Sequence, residues 1–268
     1  MLTALTSDGI KVYADEVYKE DGMKYYCPEC GSELILRQGT KNVWHFAHKD
    51  DKGICVFRQY DNESIHHKLM KKTIKEIVEA HNDCIVSDLE HKIGSRIADY
   101  YFEKRKFGGV KRVAVECVQS HTDIDVFRAK TEYYAAQGVY VIWLFNITRF
   151  TNKDNTFRET VRTNEIIKEC HTMYYGKVYA IDIPNQVVYG IHLDKIFRET
   201  EMVTLYDEWG EEYTVGGGSY TLKSDRTPIP ILIKEFVVTS FKKAWDRKSL
   251  EFLPYRRNVA NVYVQKWW

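Results

Sequence analysis

Apolar residues recur with helical spacing along the segment that begins near residue 62. Positions three and four apart share one face of a helix, so this spacing predicts an amphipathic helix with Asn62 as its N-cap. The apolar stripe consists of Ile65, Leu69, Thr73, Ile77 and Ala80, and is widened by Met70, Ile74 and Val78. The predicted polar side carries Lys68, Lys71, Lys72 and Lys75.

The pattern then changes to that of strands. Runs at 95–102 and 111–118 are typical of strands, and a helix is predicted to begin at Thr122 or Asp123 and to end before Gly138. The continuous apolar run 139–145 predicts a strand that is buried on both faces. Because a helix separates the last two strands, we expect them to be parallel and joined by a right-handed crossover.

Elements are shorter at the two ends of the chain. The N-terminal part favours strands at 34–37 and 43–46 with a turn between them. Beyond residue 151, the pattern predicts a helix at 157–170, strands at 177–183 and 186–192, and a hairpin near Tyr206. We therefore divide the chain into three predicted domains: 1–57, 58–150 and a β-rich region, 151–268, of unknown role.

Composition excludes several classes of protein. Of the 268 residues, 44% are hydrophobic and 29% are charged, so the chain can form a core and is not disordered throughout. Lys and Arg number 39 against 38 Asp and Glu. The resulting net charge of +1 excludes a globally basic nucleic-acid coat, although not a local basic patch.

The cellular compartment is predicted from what the sequence lacks. The N-terminus has no basic segment followed by an apolar run, and the most apolar stretch, 139–147, is about half as long as a membrane span. We therefore expect a cytoplasmic protein with no membrane partner. In that compartment the six cysteines are expected to be thiols or metal ligands rather than disulfides.

A zinc knuckle is the sharpest local motif. Cys27 and Cys30 flank a tight turn, and His45 and His48 follow as a second pair. Together they offer the four ligands of a closed, structural Zn²⁺ site. A regular strand would point the two histidines to opposite faces, so the chain must bend between them if both bind the metal. Cys55 is the reserve ligand.

Two acidic residues on the predicted strands form a second candidate site. Asp99 lies in the first strand and Glu116 in the next. Two carboxylates in an apolar sheet are costly unless they bind a cation, and their oxygens suit Mg²⁺ or Mn²⁺. Glu63 or Glu90 could add a further oxygen ligand. The alternative is a pair of surface carboxylates that form ion pairs with Arg96 or Lys111.

Several segments together resemble the competence-protein CoiA-like family over roughly residues 20–150. They are 26–30, 45–48, 63–67 with Lys71, 96–99, 115–116, Arg128 with Tyr133 and Tyr134, and 141–144. The resemblance implies an α/β fold in which a PD-(D/E)xK restriction-endonuclease-like core follows a zinc-knuckle module. It also implies a role in DNA processing and recombination during natural transformation, with Asp99 and Glu116 as the metal-binding acids.

The chain departs from the nuclease pattern at the third active-site position. That pattern places Lys, or in this family usually Gln, two residues after the glutamate, where this chain has Val118. Valine cannot donate a hydrogen bond or orient water. A bulge could instead bring Gln119 round, or Lys130 or Arg128 on the following helix could supply the donor.

The predicted function is a divalent-metal-dependent nuclease or DNA-processing protein that hydrolyses phosphodiester bonds. The alternative is a catalytically degenerate scaffold on the same fold that binds DNA or a protein, and Val118 favours it. DNA is the expected partner, and a protein partner could bind through the C-terminal region. The residues expected to contact DNA are His67, Lys71, Arg96 and Arg128.

Overall fold

The computed structural model describes most of the chain. The described residues are 1–20, 22–40, 42–50, 55, 57, 63–106, 109–118, 122–174, 176–232, 237–240 and 261–264. Only the backbone is described at 106, 223–224, 237–240 and 261–264. Gln119 and the C-terminal Trp267 and Trp268 therefore lie outside the described residues.

Strands dominate the described part of the chain. The N-terminal strands are β1 Thr3–Thr6, β2 Lys11–Tyr13, β3 Tyr25–Tyr26, β4 Glu33–Arg37 and β5 His45–His48. The central strands are β6 Cys84–Ile93, β7 Arg96–Lys106, β8 Gly109–Cys117 and β9 Tyr140–Asn146. The later strands are β10 Val161–Arg162, β11 Val178–Asp182, β12 Val187–Glu199, β13 Val203–Tyr206, β14 Glu212–Val215, β15 Ser219–Leu232, β16 Val237–Ser240 and β17 Asn261–Val264.

The helices pack beside these strands. They are α1 Ile65–Glu79, α2 Ile124–Ala136, α3 Glu165–Met173 and a 3₁₀ turn, Ile147–Arg149. Asp123 caps α2, as predicted, by accepting hydrogen bonds from the backbone N–H groups of Asp125 and Val126. Ser64 caps α1 by accepting from the N–H of His67, whereas the predicted cap Asn62 lies outside the described residues. No helix in the described ranges is long and apolar enough to cross a membrane.

Two sheets organise the fold. The smaller sheet has the strand order β2-β1-β3-β4-β5, and the larger one has the order β10-β15-β12-β11-β9-β8-β7-β6. Strand β9 is parallel to both β8 and β11, which confirms the predicted parallel pair around α2. The α/β class is confirmed, and the larger sheet takes strands from both sides of residue 150.

The two sheets are joined through β1 and β6. The Glu90 carboxylate on β6 accepts hydrogen bonds from the N–H of Leu2 at 2.8 Å and from the hydroxyl of Thr3 at 2.8 Å. Lys11 on β2 forms an ion pair with Asp88 at 2.7 Å. The N-terminal sheet is therefore tied to the edge strand of the larger sheet by buried polar contacts.

A helix and a central strand are among the elements that differ from the sequence-based prediction. The helix expected at 157–170 is restricted to α3, because Asn164 caps it there and the preceding β10 pairs with β15. The second difference is β6, which the pattern did not reveal. A register shift near Cys84 and a left-handed residue, Glu90 with φ 51°, interrupt the alternation of buried and exposed positions that marks a strand.

Candidate functional site

The zinc-knuckle cysteines lie together with one of the two histidines. Ligand atoms of Cys27, Cys30, His48 and Cys55 all lie within 4.8 Å of one another. The Cys27 and Cys55 sulfurs are 3.6 Å apart, and Cys30 Sγ lies 3.5 Å from His48 Nε2. Neighbouring donors in a tetrahedral zinc site are about 3.5–3.8 Å apart when Zn–S is about 2.3 Å. The cluster therefore fits a structural zinc ion.

His45 does not join this cluster, and Cys55 takes the fourth position. Because β5 is a regular strand, His45 and His48 project to opposite faces of the small sheet. The His45 ring is buried and its Nδ1 lies 2.8 Å from the carbonyl oxygen of Val43. The bend that a His45–His48 ligand pair requires is absent from this described strand.

The electrostatics of the thiols differ within the cluster. Burial raises the pKa of the Cys27 thiol to about 12. At Cys30 the effect of burial is outweighed by hydrogen bonds with Ser32, and the pKa falls to about 6. Cys30 is thus the thiol most readily available as a thiolate, which is the form that binds a metal.

The second candidate site lies on the larger sheet, where three strands carry acidic residues in one row. Strands β7 and β8 pair with Tyr100 opposite Val115, so one further step places Asp99 opposite Glu116. Strand β6 places Glu90 on the other side of Asp99. Directly opposite residues project to the same face, and each of these three acids is no more than 3% exposed.

His67 on α1 bridges two of the acids in this region. Its Nε2 lies 3.2 Å from Asp99 Oδ2 and its Nδ1 lies 2.8 Å from Glu63 Oε1. Burial lowers the pKa of His67, but the charges and hydrogen bonds of Asp99 and Glu63 outweigh this effect and raise it to about 10. The imidazole therefore carries a positive charge at neutral pH in this arrangement.

The carboxylate of Asp99 is held in its charged form. It accepts a 2.8 Å hydrogen bond from the N–H of Cys117 in addition to the contact with His67. Burial alone would raise the pKa of Asp99, but His67 and nearby Lys71 hold it well below the usual range. Asp99 is thus an anion that is already oriented.

Two of the four lysines of α1, Lys68 and Lys71, are buried rather than on a solvated face, contrary to the prediction. Lys71 is fully buried and donates to Glu63 at 2.8 Å and to Glu90 at 2.9 Å. Lys68 is 4% exposed. The carboxylates of Glu63 and Glu90 compensate the charge of Lys71. Lys71 therefore forms buried ion pairs and is not placed to contact DNA.

Glu90 belongs to the same internal network. Its two oxygens are occupied by Lys71 and by the N–H and hydroxyl groups of residues 2 and 3. The prediction that it adds a metal ligand therefore loses its structural basis. Glu63 differs, because its Oε2 is buried without a hydrogen-bond partner among the described residues.

Glu116 is bound from α2. Lys130 Nζ donates to Glu116 Oε2 at 2.7 Å, and the Tyr134 hydroxyl donates to Oε1 at 2.5 Å. Burial raises the pKa of Glu116 and Asp99 adds to the shift, while Lys130 opposes it. Of the two donors proposed on α2, Lys130 reaches Glu116, whereas Arg128 pairs with Glu169.

The other predicted site residues occupy different positions. Arg128 forms an ion pair with Glu169 on α3. Arg96 is half-buried at the start of β7. Val118 extends the pairing of β8, since its N–H donates to Leu144 at 2.8 Å, and the bulge proposed to bring Gln119 round lies outside the described residues.

His67 also fits the role of a metal ligand, which sequence reasoning missed. Ligand atoms of His67, Asp99 and Cys117 lie within 4.8 Å of one another. His67 Nε2 is also 3.1 Å from the carbonyl oxygen of Cys117. A metal-bound histidine usually donates its other N–H to a carboxylate, and Glu63 is in that position. The four-residue spacing of Glu63 and His67 at the start of a helix was the available signal.

Comparisons with known proteins agree with the resemblance found in the sequence. Residues 11–57 match the family model of the competence protein CoiA N-terminal domain. The Competence protein CoiA of Bacillus subtilis (strain 168) is 22% identical over 134 residues, or 50% of this chain. The chain spans only 34% of that relative. No solved structure matches significantly. The resemblance to the CoiA-like family is confirmed.

Proposed function

We propose that this CoiA-like chain processes DNA during competence as a divalent-metal-dependent nuclease with a PD-(D/E)xK-like core. The observation that carries the proposal is the buried pair Asp99 and Glu116 on adjacent strands, together with Lys130 at 2.7 Å from Glu116. Two acids and a lysine in one place supply the ligands and the cationic donor that phosphodiester hydrolysis requires. The competence assignment follows the name of the relative.

Each residue of the site has a distinct task in this proposal. Asp99 and Glu116 hold the cation, and the imidazole of His67, after release of its proton on metal binding, would supply a nitrogen ligand that Glu63 orients. Mg²⁺ or Mn²⁺ would supply the charge that activates water and stabilises the attacked phosphate. A nitrogen ligand favours Mn²⁺ over Mg²⁺, because imidazole suits transition metals better.

Lys130 supplies the hydrogen-bond donor that is missing at position 118, where the nuclease pattern has Lys or Gln and this chain has valine. A lysine ammonium can donate to a phosphate oxygen and stabilise developing negative charge. Lys130 now donates to Glu116. A bound cation would compete with Lys130 for the Glu116 carboxylate, and the substrate phosphate would compete with Glu116 for the Lys130 ammonium. We therefore place the third active-site function on α2 rather than on β8.

Zinc has a separate, structural task. The Cys27–Cys30–His48–Cys55 cluster would coordinate the ion with four protein ligands, which leaves no open coordination position for a substrate. Three of its members, Cys27, Cys30 and Cys55, lie outside the strands, so the metal would fix loops that have little core of their own.

Cleavage assays with matched variants test the proposal. The wild type should cleave DNA with added Mn²⁺ or Mg²⁺ and not without an added divalent cation, and Asp99→Asn and Glu116→Gln should each lower the rate at least about 100-fold. Glu103→Gln is the control, because Glu103 lies on β7 but accepts its hydrogen bond from Tyr101. A wild type that cleaves no single- or double-stranded DNA in any divalent metal would overturn the enzyme assignment.

A non-catalytic scaffold is the second candidate. Two observations favour it: valine occupies position 118, and internal basic residues already compensate both acids. A protein partner could bind the hairpin formed by β13 and β14, where Trp209 is 85% and Tyr206 is 68% exposed. DNA binding that survives removal of both acids, without any cleavage, would support this function.

A further inference from the structure

A pocket lined by three arginines includes in its wall Val118, which lies two residues after Glu116. It has a volume of about 450 Å³, and Arg149, Arg158 and Arg162 contribute to its wall. The pocket lies at the carboxyl ends of the neighbouring parallel strands β8 and β9, because Val118 and Asn146 also line it. We call it the arginine pocket.

Three arginines and no carboxylate are among the residues described as lining the arginine pocket, and Asp225 lies opposite Arg162 on β15. Among the described residues, no carboxylate forms an ion pair with Arg149, Arg158 or Arg162. Arg158 instead donates to the carbonyl oxygen of Thr151 at 2.8 Å. The Nε of Arg149 is buried and has no hydrogen-bond partner in the described structure. Burial lowers the pKa of Arg149, and the neighbouring charge of Arg158 lowers it further.

The start of α3 adds a second, independent source of positive potential. Asn164 lines the arginine pocket and caps α3, since its side-chain oxygen accepts from the N–H of Ile167 at 2.9 Å. A helix N-terminus carries about half a positive charge and favours anions. Glu165 in the first turn is exposed and lies near Arg128, which is not one of the residues that line the pocket.

The position of the pocket indicates what kind of anion it receives. Val118 in its wall directly follows Cys117, whose N–H binds the Asp99 carboxylate. A nucleic-acid strand whose phosphodiester lies at Asp99 and Glu116 would therefore bring a neighbouring phosphate close to these guanidinium groups. Planar guanidinium groups bind phosphate through paired hydrogen bonds.

We propose that the arginine pocket binds a backbone phosphate of the nucleic-acid strand that is processed at the acid pair. This inference rests on the proposed function for the choice of ligand, but the pocket itself needs no bound cation. Relief of the repulsion among the arginines and pairing of the buried Arg149 Nε would both favour the bound phosphate.

Binding of fluorescein-labelled single-stranded DNA, measured by anisotropy without added Mg²⁺ or Mn²⁺, tests this proposal without cleavage. Arg162→Gln and Arg149→Gln should each weaken binding about tenfold, the value expected for loss of a charged hydrogen bond. Each should also reduce the slope of log affinity against log salt by about 0.7, because one phosphate contact is lost. Arg162→Lys should retain the salt slope.

Arg198→Gln is the matched control, because Arg198 is an exposed arginine on β12 that does not line the pocket. Arg162 is itself exposed, so its variant separates lost binding from failure to fold. The proposal is overturned if both pocket variants bind DNA with the same affinity and the same salt slope as the wild type and Arg198→Gln.

The outcomes separate this proposal from the nuclease assignment. Weakened binding in the pocket variants, with no cleavage by the wild type in any metal, would support the arginine pocket and overturn the nuclease. Cleavage by the wild type with unchanged binding in the variants would do the reverse. If inorganic phosphate raises the melting temperature of the wild type but not of Arg162→Gln, and DNA does not bind, the ligand is a free anion and the nucleic-acid assignment fails.

Discussion

Lys130 on α2 donates to Glu116 on β8, with Nζ 2.7 Å from Oε2. The two residues are 14 positions apart, one on a strand and one on the following helix, so the periodicity within either element does not predict their contact. Lys130 thus places an ammonium group beside Glu116, which the valine at position 118 cannot do because it has no hydrogen-bond donor. The predictions about catalysis follow from this ion pair.

Removal of the Lys130 ammonium should abolish most of the activity. Lys130→Met keeps the length of the side chain, and we expect it to lower the DNA cleavage rate at saturating metal by about 100-fold or more, in the range of a lost electrostatic donor. Arg128→Gln, two residues earlier on α2, should leave that rate within about threefold, since Arg128 pairs with Glu169 on α3. Equal rates for Lys130→Met and the wild type would place the donor elsewhere.

A lysine at position 118 should replace Lys130 if β8 continues as a regular strand. Side chains two positions apart share a face, so Val118→Lys would stand beside Glu116. In the Lys130→Met background, we expect the substitution to restore cleavage about tenfold, as measured in single-turnover assays. In the wild type, where Lys130 already donates to Glu116, the same substitution should give little gain in cleavage rate.

The fourth ligand of the zinc cluster can be determined by metal analysis. Cys55→Ser should lower the zinc content of the purified protein and loosen the N-terminal sheet, because metal binding and local folding are coupled. His45→Asn should retain zinc, since His45 faces away from the cluster. Zinc content and resistance to proteolysis measure the two effects. Loss of zinc in His45→Asn with retention in Cys55→Ser would contradict this ligand set.

The buried ion pair of Lys71 and Glu90 should dominate stability in this part of the fold. Lys71→Met leaves Glu90 buried without its partner, and we expect the free energy of unfolding in urea to fall by about 3–5 kcal/mol. Lys75→Met on the same helix should cost under about 0.5 kcal/mol, because its pair with Glu79 is a surface contact.

Glu90 also gives this stability a pH dependence. Burial would raise its pKa, but Lys71 and hydrogen bonds lower it below the unfolded value of 4.5. A lowered pKa contributes stability above pH 4.5 that is lost as the pH falls toward the folded pKa. The difference in unfolding free energy between wild type and Lys71→Met should therefore be smaller at about pH 3 than at about pH 7. A difference that is constant over this range would show that another group carries the effect.

The local sequence pattern correctly predicted features that depend on only a few neighbouring residues. The strands around Asp99 and Glu116, the cap Asp123 and the parallel strand β9 follow from periodicity and turn chemistry, which act over a few residues. The same reasoning failed at β6, because its register shift and the left-handed Glu90 remove the period of two. It also placed Lys71 in solvent, because periodicity alone does not show that Glu63 and Glu90 compensate a buried lysine.

The sequence by itself determined the α/β class, the resemblance to the CoiA-like family over part of the chain, and the inventory of acids, thiols and imidazoles. Only the tertiary structure decided which of them meet: Cys55 rather than His45 with His48, Lys130 with Glu116, and three arginines in one pocket. The physical reason is that a ligand set depends on which faces of distant elements pack together. Sequence spacing fixes the direction of a side chain within a strand or helix, whereas burial and charge compensation between elements set its partners.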